Sequence, residues 1–574
     1  MCGIFSLLNN ASSITDKKIN IAFQYCKNRG PEYSELLKID ENNILGFHRL
    51  AINGLDTKSN QPITINKITI ICNGEIYNYK KLYNELKISP KTNSDCEVII
   101  YLYEKYGIEV AISMLDGVFS FILYDDNNST LYSARDPFGV RPLYVLEIEN
   151  YFENFSLYGF ASELKCLSSI LIDAYNERLG DSIYIHENNF IKQFKPGYIY
   201  SYKLSENILS NKFWYKTKEI QYYTIPYNIS ILNKYNLDDI GKIYYNINKF
   251  LNSAVKKRVI GTSDRPVACL LSGGLDSSLI AALVSKYYDK QLETYSIGMK
   301  GSLDLKNARL VADHIKSKHH EIIVTEDDFF AAIPEVIYNI ESYDTTTVRA
   351  SVGNYLIGKY IAKHSDAKVI FNGDGSDELT GGYIYFLAVD TSIEFDKECR
   401  RLLKDIHNFD VLRSDKCISS HGLEPRTPFL DKTFVNYYLT IPLCYRNPRS
   451  SEISYKRAEK QLLREAFEYK EPNLLPKEIL WRTKEAFSDG VSGDSGSWFE
   501  IISKKIDKFK NAENINNYCS TNYNKPNTLE KKYYRKIFDN YFPYSSYIIP
   551  YFWMPKYVKT DDASARTISF YNEI

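Results

Sequence analysis

Residues 266–278 read Pro-Val-Ala-Cys-Leu-Leu-Ser-Gly-Gly-Leu-Asp-Ser-Ser, and they constrain the fold more than any other stretch. The apolar run Val267–Leu271 has the make-up of a buried strand. It breaks at Ser272-Gly273-Gly274, and a helical pattern follows from Asp276 to Tyr288. Strand, glycine turn and helix start point N–H groups and the positive helix end at one spot, which favours a phosphate. The glycines allow close backbone approach, and Ser272, Ser277 and Ser278 supply hydroxyls. Asp276 would stand beside that anion, where a carboxylate makes sense chiefly if Mg²⁺ bridges the two. A serine-capped junction with no ligand is the plain alternative, and the full Ser-Gly-Gly-Leu-Asp-Ser-Ser run argues against it.

This stretch resembles the pyrophosphate loop of the ATP pyrophosphatases, which adenylate a substrate and release pyrophosphate. The surrounding chain fits. Glu293–Met299 reads as the next strand and places Ile297 where an adenine could rest. Strand–helix alternation through Asn307–Lys318 and Glu321–Val324 implies a parallel sheet with helices on both faces. Lys368–Phe371 then repeats the pattern, ending in Asn372-Gly373-Asp374-Gly375-Ser376-Asp377-Glu378. Three acids crowded at a strand's end need a metal or a cation. Strand carboxyl ends are where open α/β sheets bind ligands. Asp276 and Asp377 are therefore the expected Mg²⁺ ligands. The expected ATP contacts are Leu270, Ser272, Gly273, Gly274, Leu275, Asp276, Ser277, Ile297, Asn372 and Gly373.

The first two hundred residues carry a different chemistry. With Met1 removed, Cys2 would hold both a thiol and an α-amine, which titrates near ~8 and can act as base toward that thiol. Further on stand His48-Arg49-Leu50-Ala51-Ile52-Asn53, Asn73-Gly74-Glu75-Ile76-Tyr77-Asn78 and Ser94-Asp95. Free glutamine needs a cation for its carboxylate, which Arg49 supplies as a bidentate fork. It needs anions for its ammonium, which Glu75 and Asp95 supply. The Asn73 side chain and the Gly74 N–H suit the oxyanion. Taken singly, each is as well read as a surface residue or a chance cysteine; the ordered set is what speaks. Strand-like runs Ile68–Cys72 and Phe119–Tyr124 flank them, and Cys96–Tyr106 has helical periodicity.

Cys2, His-Arg-Leu-Ala-Ile, Asn-Gly-Glu-Ile-Tyr-Asn and Asp95 resemble an N-terminal-nucleophile glutamine amidotransferase domain. So do Leu115-Asp116-Gly117, Arg135-Asp136-Pro137-Phe138-Gly139 and Phe160-Ala161-Ser162-Glu163. The resemblance implies a four-layer αββα sandwich. Later segments also fall in register: Asp410, Arg413, Asp415, Lys416, Glu424–Asp431, Leu480–Val491, Trp553–Lys556 and Ser564–Thr567. Over nearly its whole length the chain is similar to the glutamine-hydrolysing asparagine synthetases. The resemblance implies ATP and aspartate as substrates, a β-aspartyl-adenylate, and ammonia passed through an internal tunnel from the Cys2 site. Lys484 is expected to neutralise phosphate charge, with Asp374 and Asp410 orienting it or managing protons. One departure stands out: the family loop usually reads Ser-Gly-Glu-Gly-Ser-Asp-Glu. Asp374 reaches roughly 1.5 Å less far than that glutamate, with the expectation that activity is kept and Lys484 or the loop shifts to compensate.

The expected division is a glutaminase domain over 1–205, a connector over 206–236 and a synthetase domain over 237–574, its first helix running from Asp238 to Val259. A β-lactam synthetase is the alternative enzyme, and it conflicts with Cys2, the glutamine set and the acid at 374. Lysine plus arginine and aspartate plus glutamate both total 71, so no net field points to nucleic acid or membrane. Ten scattered cysteines without a CxxC pair fit reduced thiols in a cytoplasmic setting rather than zinc or disulfides. No apolar run reaches the ~20 residues that span a bilayer, and the expected partners are small molecules, with a homodimer admitted. For residues 508–530, rich in Asn and Lys, the sequence leaves order open.

Overall fold

The computed structural model describes residues 1–11, 13–152, 155–179, 190–206, 212–226, 240–261, 264–449, 458–485, 490–492, 497–509, 515 and 523–569. Asp238, Ala486–Asp489, much of the 206–236 connector and part of 508–530 lie outside them.

Two six-stranded antiparallel sheets build the first half. One runs Ile191–Gln193, Tyr144–Phe152, Phe155–Ala161, Gly3–Leu8, Ile44–Arg49, Tyr33–Lys38. The other runs Lys212–Gln221, Tyr198–Glu206, Thr130–Arg135, Gly117–Asp125, Ile68–Ile76, Ile63–Ile65. Strand alternation sorts their side chains into layers. Ile4, Phe47, Ile71, Ile122 and Trp214 share the core between the sheets. Ile70, Phe121 and Leu123 point the other way, onto helices Val98–Tyr106 and Ile108–Met114. Phe5 and Leu7 pack under helices Asp16–Gln24 and Leu164–Ala174. This is the expected αββα sandwich. The strand Lys212–Gln221, inside the expected connector, pairs along Tyr198–Glu206 and is the sheet's edge. Its Phe213-Trp214 pair is buried, so the sandwich runs on past residue 205.

The second half holds a five-stranded parallel sheet in the order Lys318–Ile323, Glu293–Gly298, Val267–Leu270, Val369–Phe371, Glu424–Arg426. Ala268 and Ile370 face one helical layer with Ile337 and Val352. Val267, Cys269 and Phe371 face the other, with Leu251, Leu279 and Val311. The chain leaves Val267–Leu270 in one direction and returns on its other side at Val369–Phe371. The carboxyl ends of those two neighbours form the topological switch point, where such sheets bind ligands. Among the described residues no helix is long and apolar enough to cross a membrane.

The halves are joined by packing and by buried charge. One apolar cluster runs from Phe5 and Leu167 to Ile333 and Ile337. Arg29 bridges Glu163 at 2.6 Å and Asp415 at 2.8 Å, and Lys416 reaches Glu163 at 3.0 Å and Glu341. Buried ions persist when each is paired and hydrogen-bonded. Leu164 N and Lys165 N accordingly also donate to Glu341.

Candidate active site

The first cluster lies on the sandwich. Cys2 precedes the strand Gly3–Leu8; its Sγ lies 3.7 Å from the Leu50 carbonyl oxygen, and its own carbonyl accepts from Arg29 Nε at 2.9 Å. Burial pushes the thiol up to about 11 despite the nearby amino terminus and Arg49. A thiol held there needs a base beside it to attack anything. Met1 carries the terminal amine in this structure; burial lowers it to about 6, and it donates to Leu423 O at 3.5 Å.

Asn73, Gly74 and Glu75 continue the strand Ile68–Ile76 beyond the expected Cys72. Asn73 is fully buried, and neither its amide oxygen nor its nitrogen has a hydrogen-bond partner among the described residues. An unsatisfied buried amide costs ~1–3 kcal/mol, and native proteins keep one where a ligand completes it. A Cβ at Gly74 would stand 2.5 Å from the Val118 carbonyl oxygen, so glycine is what lets the neighbouring strand approach. Burial raises Asp95 to about 6, although its Oδ2 accepts from Ile76 N at 2.6 Å. Burial, Glu424 and Asp95 together hold Glu75 well above the usual carboxylate range. Two acids lifted in this way mark a place where an added cation would be welcome. Asn53 Nδ2 donates to Glu75 Oε2 at 2.6 Å.

The guanidinium of Arg49, the expected fork for the glutamine carboxylate, is engaged by its own loop. Nη1 donates to Asp56 O at 2.9 Å and Asn60 Oδ1 at 2.5 Å, and Nη2 to Asn53 O at 3.3 Å and to Gly54 O. The guanidinium thus pins the loop after Ile52, and a carboxylate would have to take over some of these contacts. Leu50, Ala51 and Ile52 are buried alongside.

The second cluster is a cleft at the switch point. It is lined by every residue expected at ATP except Gly273, and by Asp374, Asp377, Asp410 and Lys484. Gly273 makes the turn instead: its φ is +70°, and a Cβ there would meet the Asn307–Ala308 backbone at 2.5 Å. Helix Leu275–Tyr287 starts at Gly274 with no side-chain cap, leaving its first N–H groups for an anion. Ser272 Oγ and Ser277 Oγ are 3.0 Å apart. Ser278 does not line the cleft; it is buried in the helix packing.

Asp276 and Asp377 face each other across a lysine that sequence reasoning missed. Lys460 Nζ lies 2.5 Å from Asp276 Oδ2 and 2.6 Å from Asp377 Oδ1. Lys484 Nζ lies 2.6 Å from Asp377 Oδ2 and 3.9 Å from Asp276. Burial alone would raise Asp377, but Lys460 and Lys484 outweigh it and hold the carboxyl well below its ordinary range. An isolated Glu459-Lys460 pair carries no signal in sequence; only folding brings it here. Among the described residues no three His, Cys, Asp or Glu side chains are arranged to hold a metal by themselves. Two carboxylates at a phosphate loop nevertheless fit Mg²⁺, which takes one or two carboxylates plus substrate phosphates.

Asp374 and Asp410 do not orient Lys484. Both accept from Arg413 Nη2, Asp374 Oδ1 at 3.0 Å and Asp410 Oδ1 at 2.7 Å. Asp374 Oδ2 is buried with no partner among the described residues. Lys484 is set instead by Asp377 and by its own N–H on Glu459 Oε1 at 3.0 Å. Asp344 caps helix Thr345–His364, which brings Thr346 and Thr347 to the cleft and turns Arg349 away onto Glu530 and Asp562.

Fold and site residues together define a class: an amidotransferase sandwich fused to an ATP-type synthetase domain. Comparison with known proteins agrees. The family described as "Glutamine amidotransferase domain" matches residues 1–214, and that described as "Asparagine synthase" matches 246–392 and 387–542. Asparagine synthetase [glutamine-hydrolyzing] of Gallus gallus is 40% identical over 587 residues, covering 100% of this chain and 99% of the relative. That of Homo sapiens is 39% identical over 589 residues, covering 100% and 99%. The chain belongs to the glutamine-hydrolysing asparagine synthetase family. Nothing in these matches supports the β-lactam synthetase alternative.

Proposed function

We propose that this protein makes asparagine from aspartate, ATP and glutamine, yielding AMP, pyrophosphate and glutamate. The observation that carries the reading is the switch-point cleft, where a phosphate loop and two lysine-bridged carboxylates meet in the same chain as the Cys2 site. The glutaminase unit is taken as residues 1–205 extended through the edge strand, and the synthetase unit as the parallel-sheet half from residue 237 on.

In the first unit Cys2, freed of Met1, is the nucleophile and its α-amine the base. The thiolate attacks the glutamine amide carbon, and the oxyanion sits against Asn73 Nδ2 and the Gly74 N–H. Ammonia leaves, and water hydrolyses the thioester to glutamate. Glu75 and Asp95 take the substrate ammonium; Arg49, with Leu50 to Asn53, takes the carboxylate end.

In the second unit the aspartate side-chain carboxylate attacks the α-phosphorus, and pyrophosphate leaves. Ser272, Ser277 and the helix start at Leu275 receive the pyrophosphate, and the adenine lies against Leu270 and Ile297. Lys460 and Lys484 neutralise phosphate charge as it develops. Asp276 and Asp377 would hold Mg²⁺, which supplies further neutralisation of the polyphosphate. Ammonia then attacks the adenylate carbonyl, loses a proton and expels AMP. Asp374, held by Arg413 with one oxygen unpartnered, is suited to take that proton. Ammonia must cross as the neutral molecule, because ammonium has no lone pair, and an apolar route favours that form. A cytoplasmic setting and self-association as a homodimer belong to the same reading, the latter open to light scattering.

The test is asparagine and pyrophosphate formation from aspartate and MgATP, with glutamine or ammonium, in the native protein and Cys2→Ala. Both nitrogen sources should serve the native protein, and only ammonium the variant. Glutamine hydrolysis without asparagine from either source would overturn the synthetase half.

A further inference from the structure

The loop proposed to hold glutamine is itself held from the other half of the chain. Ala51 N donates to Glu32 Oε2 at 2.7 Å, and Ala51 O accepts from Arg265 Nε at 2.8 Å. Arg265 Nη2 and Glu32 Oε1 close the ring at 2.7 Å. Three residues on, Gly54 N donates to Asp264 Oδ2 at 2.8 Å. Both polar groups of residue 51 are thus bracketed by one ion pair. Asp264 and Arg265 stand immediately before the strand Val267–Leu270 that ends in the phosphate loop.

We infer that Arg265, paired with Glu32, is a positioning residue of the glutamine site, contributed by the synthetase half. The inference rests on the reading that residues 49–53 and Glu75 hold glutamine. The loop's orientation sets two groups of that site. Asn53 reaches Glu75 from it, and its Asn53 and Gly54 carbonyls engage Arg49. A loop free to turn at residue 51 would bind the same substrate only after being ordered, and that cost appears as weaker binding. The geometry also calls for arginine. A planar guanidinium meets the Ala51 carbonyl and the Glu32 carboxylate at once from a fixed fork, whereas an ammonium is a single point charge. Side-chain exposures of 25% for Arg265 and 31% for Glu32 mean that removing either hollows no core.

The experiment measures glutamine hydrolysis without ATP, and ammonium-dependent pyrophosphate release, in the native protein, Arg265→Ala, Arg265→Lys, Glu32→Gln and Cys2→Ala. Arg265→Ala should raise the glutamine KM about tenfold, the ratio that ~1.4 kcal/mol of lost binding represents. Its kcat should stay within about twofold, and its ammonium-dependent rate should be unchanged, because uniform binding alone was removed. Arg265→Lys should recover part of the loss, and Glu32→Gln should fall between the two. A native glutamine KM in Arg265→Ala would overturn the inference, as would an equal loss of ammonium-dependent synthesis. Glutamine hydrolysis that survives in Cys2→Ala would instead sink the underlying reading of the site, an outcome recognisable on its own.

Discussion

Arg413 Nη2 donates to Asp374 Oδ1 at 3.0 Å, and the same nitrogen holds Asp410 Oδ1 at 2.7 Å. The short acid at 374 is thereby fixed at the cleft by a guanidinium rather than by Lys484. Arg413→Ala should leave Asp374 unplaced and lower ammonium-dependent pyrophosphate release by about a hundredfold, the scale on which small misplacements act. Glutamine hydrolysis should not change. Asp374→Glu should stay within about tenfold of the native rate. A gain of several orders of magnitude in that variant would mean that nothing here compensates for the missing methylene.

Lys460 is the counter-ion shared by Asp276 and Asp377. Lys460→Met leaves two carboxylates facing each other with only Lys484 near, and removing one partner of such a buried set costs about 3 kcal/mol. Urea unfolding should show that loss. Stability that matches the native protein would place the lysine outside the pair's electrostatics. Excess MgATP should restore more stability to the native protein than to the variant, because ligand stabilisation follows affinity.

The Asn73 amide, buried with no partner, is arranged for an oxyanion that forms only during reaction. Asn73→Ala should therefore lower kcat for glutamine hydrolysis by about 10²–10³, with little change in KM. Asparagine formation from ammonium should continue at the native rate. A change confined to KM would reassign the side chain to substrate binding.

Burial raises Asp95 to about 6. Above that pH its carboxylate is charged and attracts the substrate ammonium; below it the group is neutral and the attraction is lost. Bound glutamine stabilises the charged form, so the complex keeps its charge to lower pH than the free site. The glutamine KM should accordingly climb as pH falls through about 6, while kcat responds less. Asp95→Asn should flatten that rise. A KM independent of pH in this range would remove Asp95 from ammonium recognition.

Much of this was legible in the chain. The apolar strand broken by Ser272-Gly273-Gly274, repeated at Asn372–Glu378, declares both edges of the switch-point cleft, because strand, turn and helix start are local in sequence. Asn73-Gly74-Glu75 were legible as residues, although their place on an unbroken strand was not. The edge strand Lys212–Gln221 is not legible, because its partner Tyr198–Glu206, not its own composition, makes it a strand.

What the sequence determined by itself is the set of chemical groups and the order in which they come, since motifs are covalent neighbours. Tertiary structure alone decided their partners. Lys460 reaches Asp276 across 184 positions, Arg413 reaches Asp374 across 39, and Arg265 reaches Ala51 across 214. A charge buried far along the chain finds its counter-ion through packing, which leaves no periodicity or spacing to read. Arg49 shows the converse: its residue type suggested a carboxylate, and the folded loop's own carbonyls answered first.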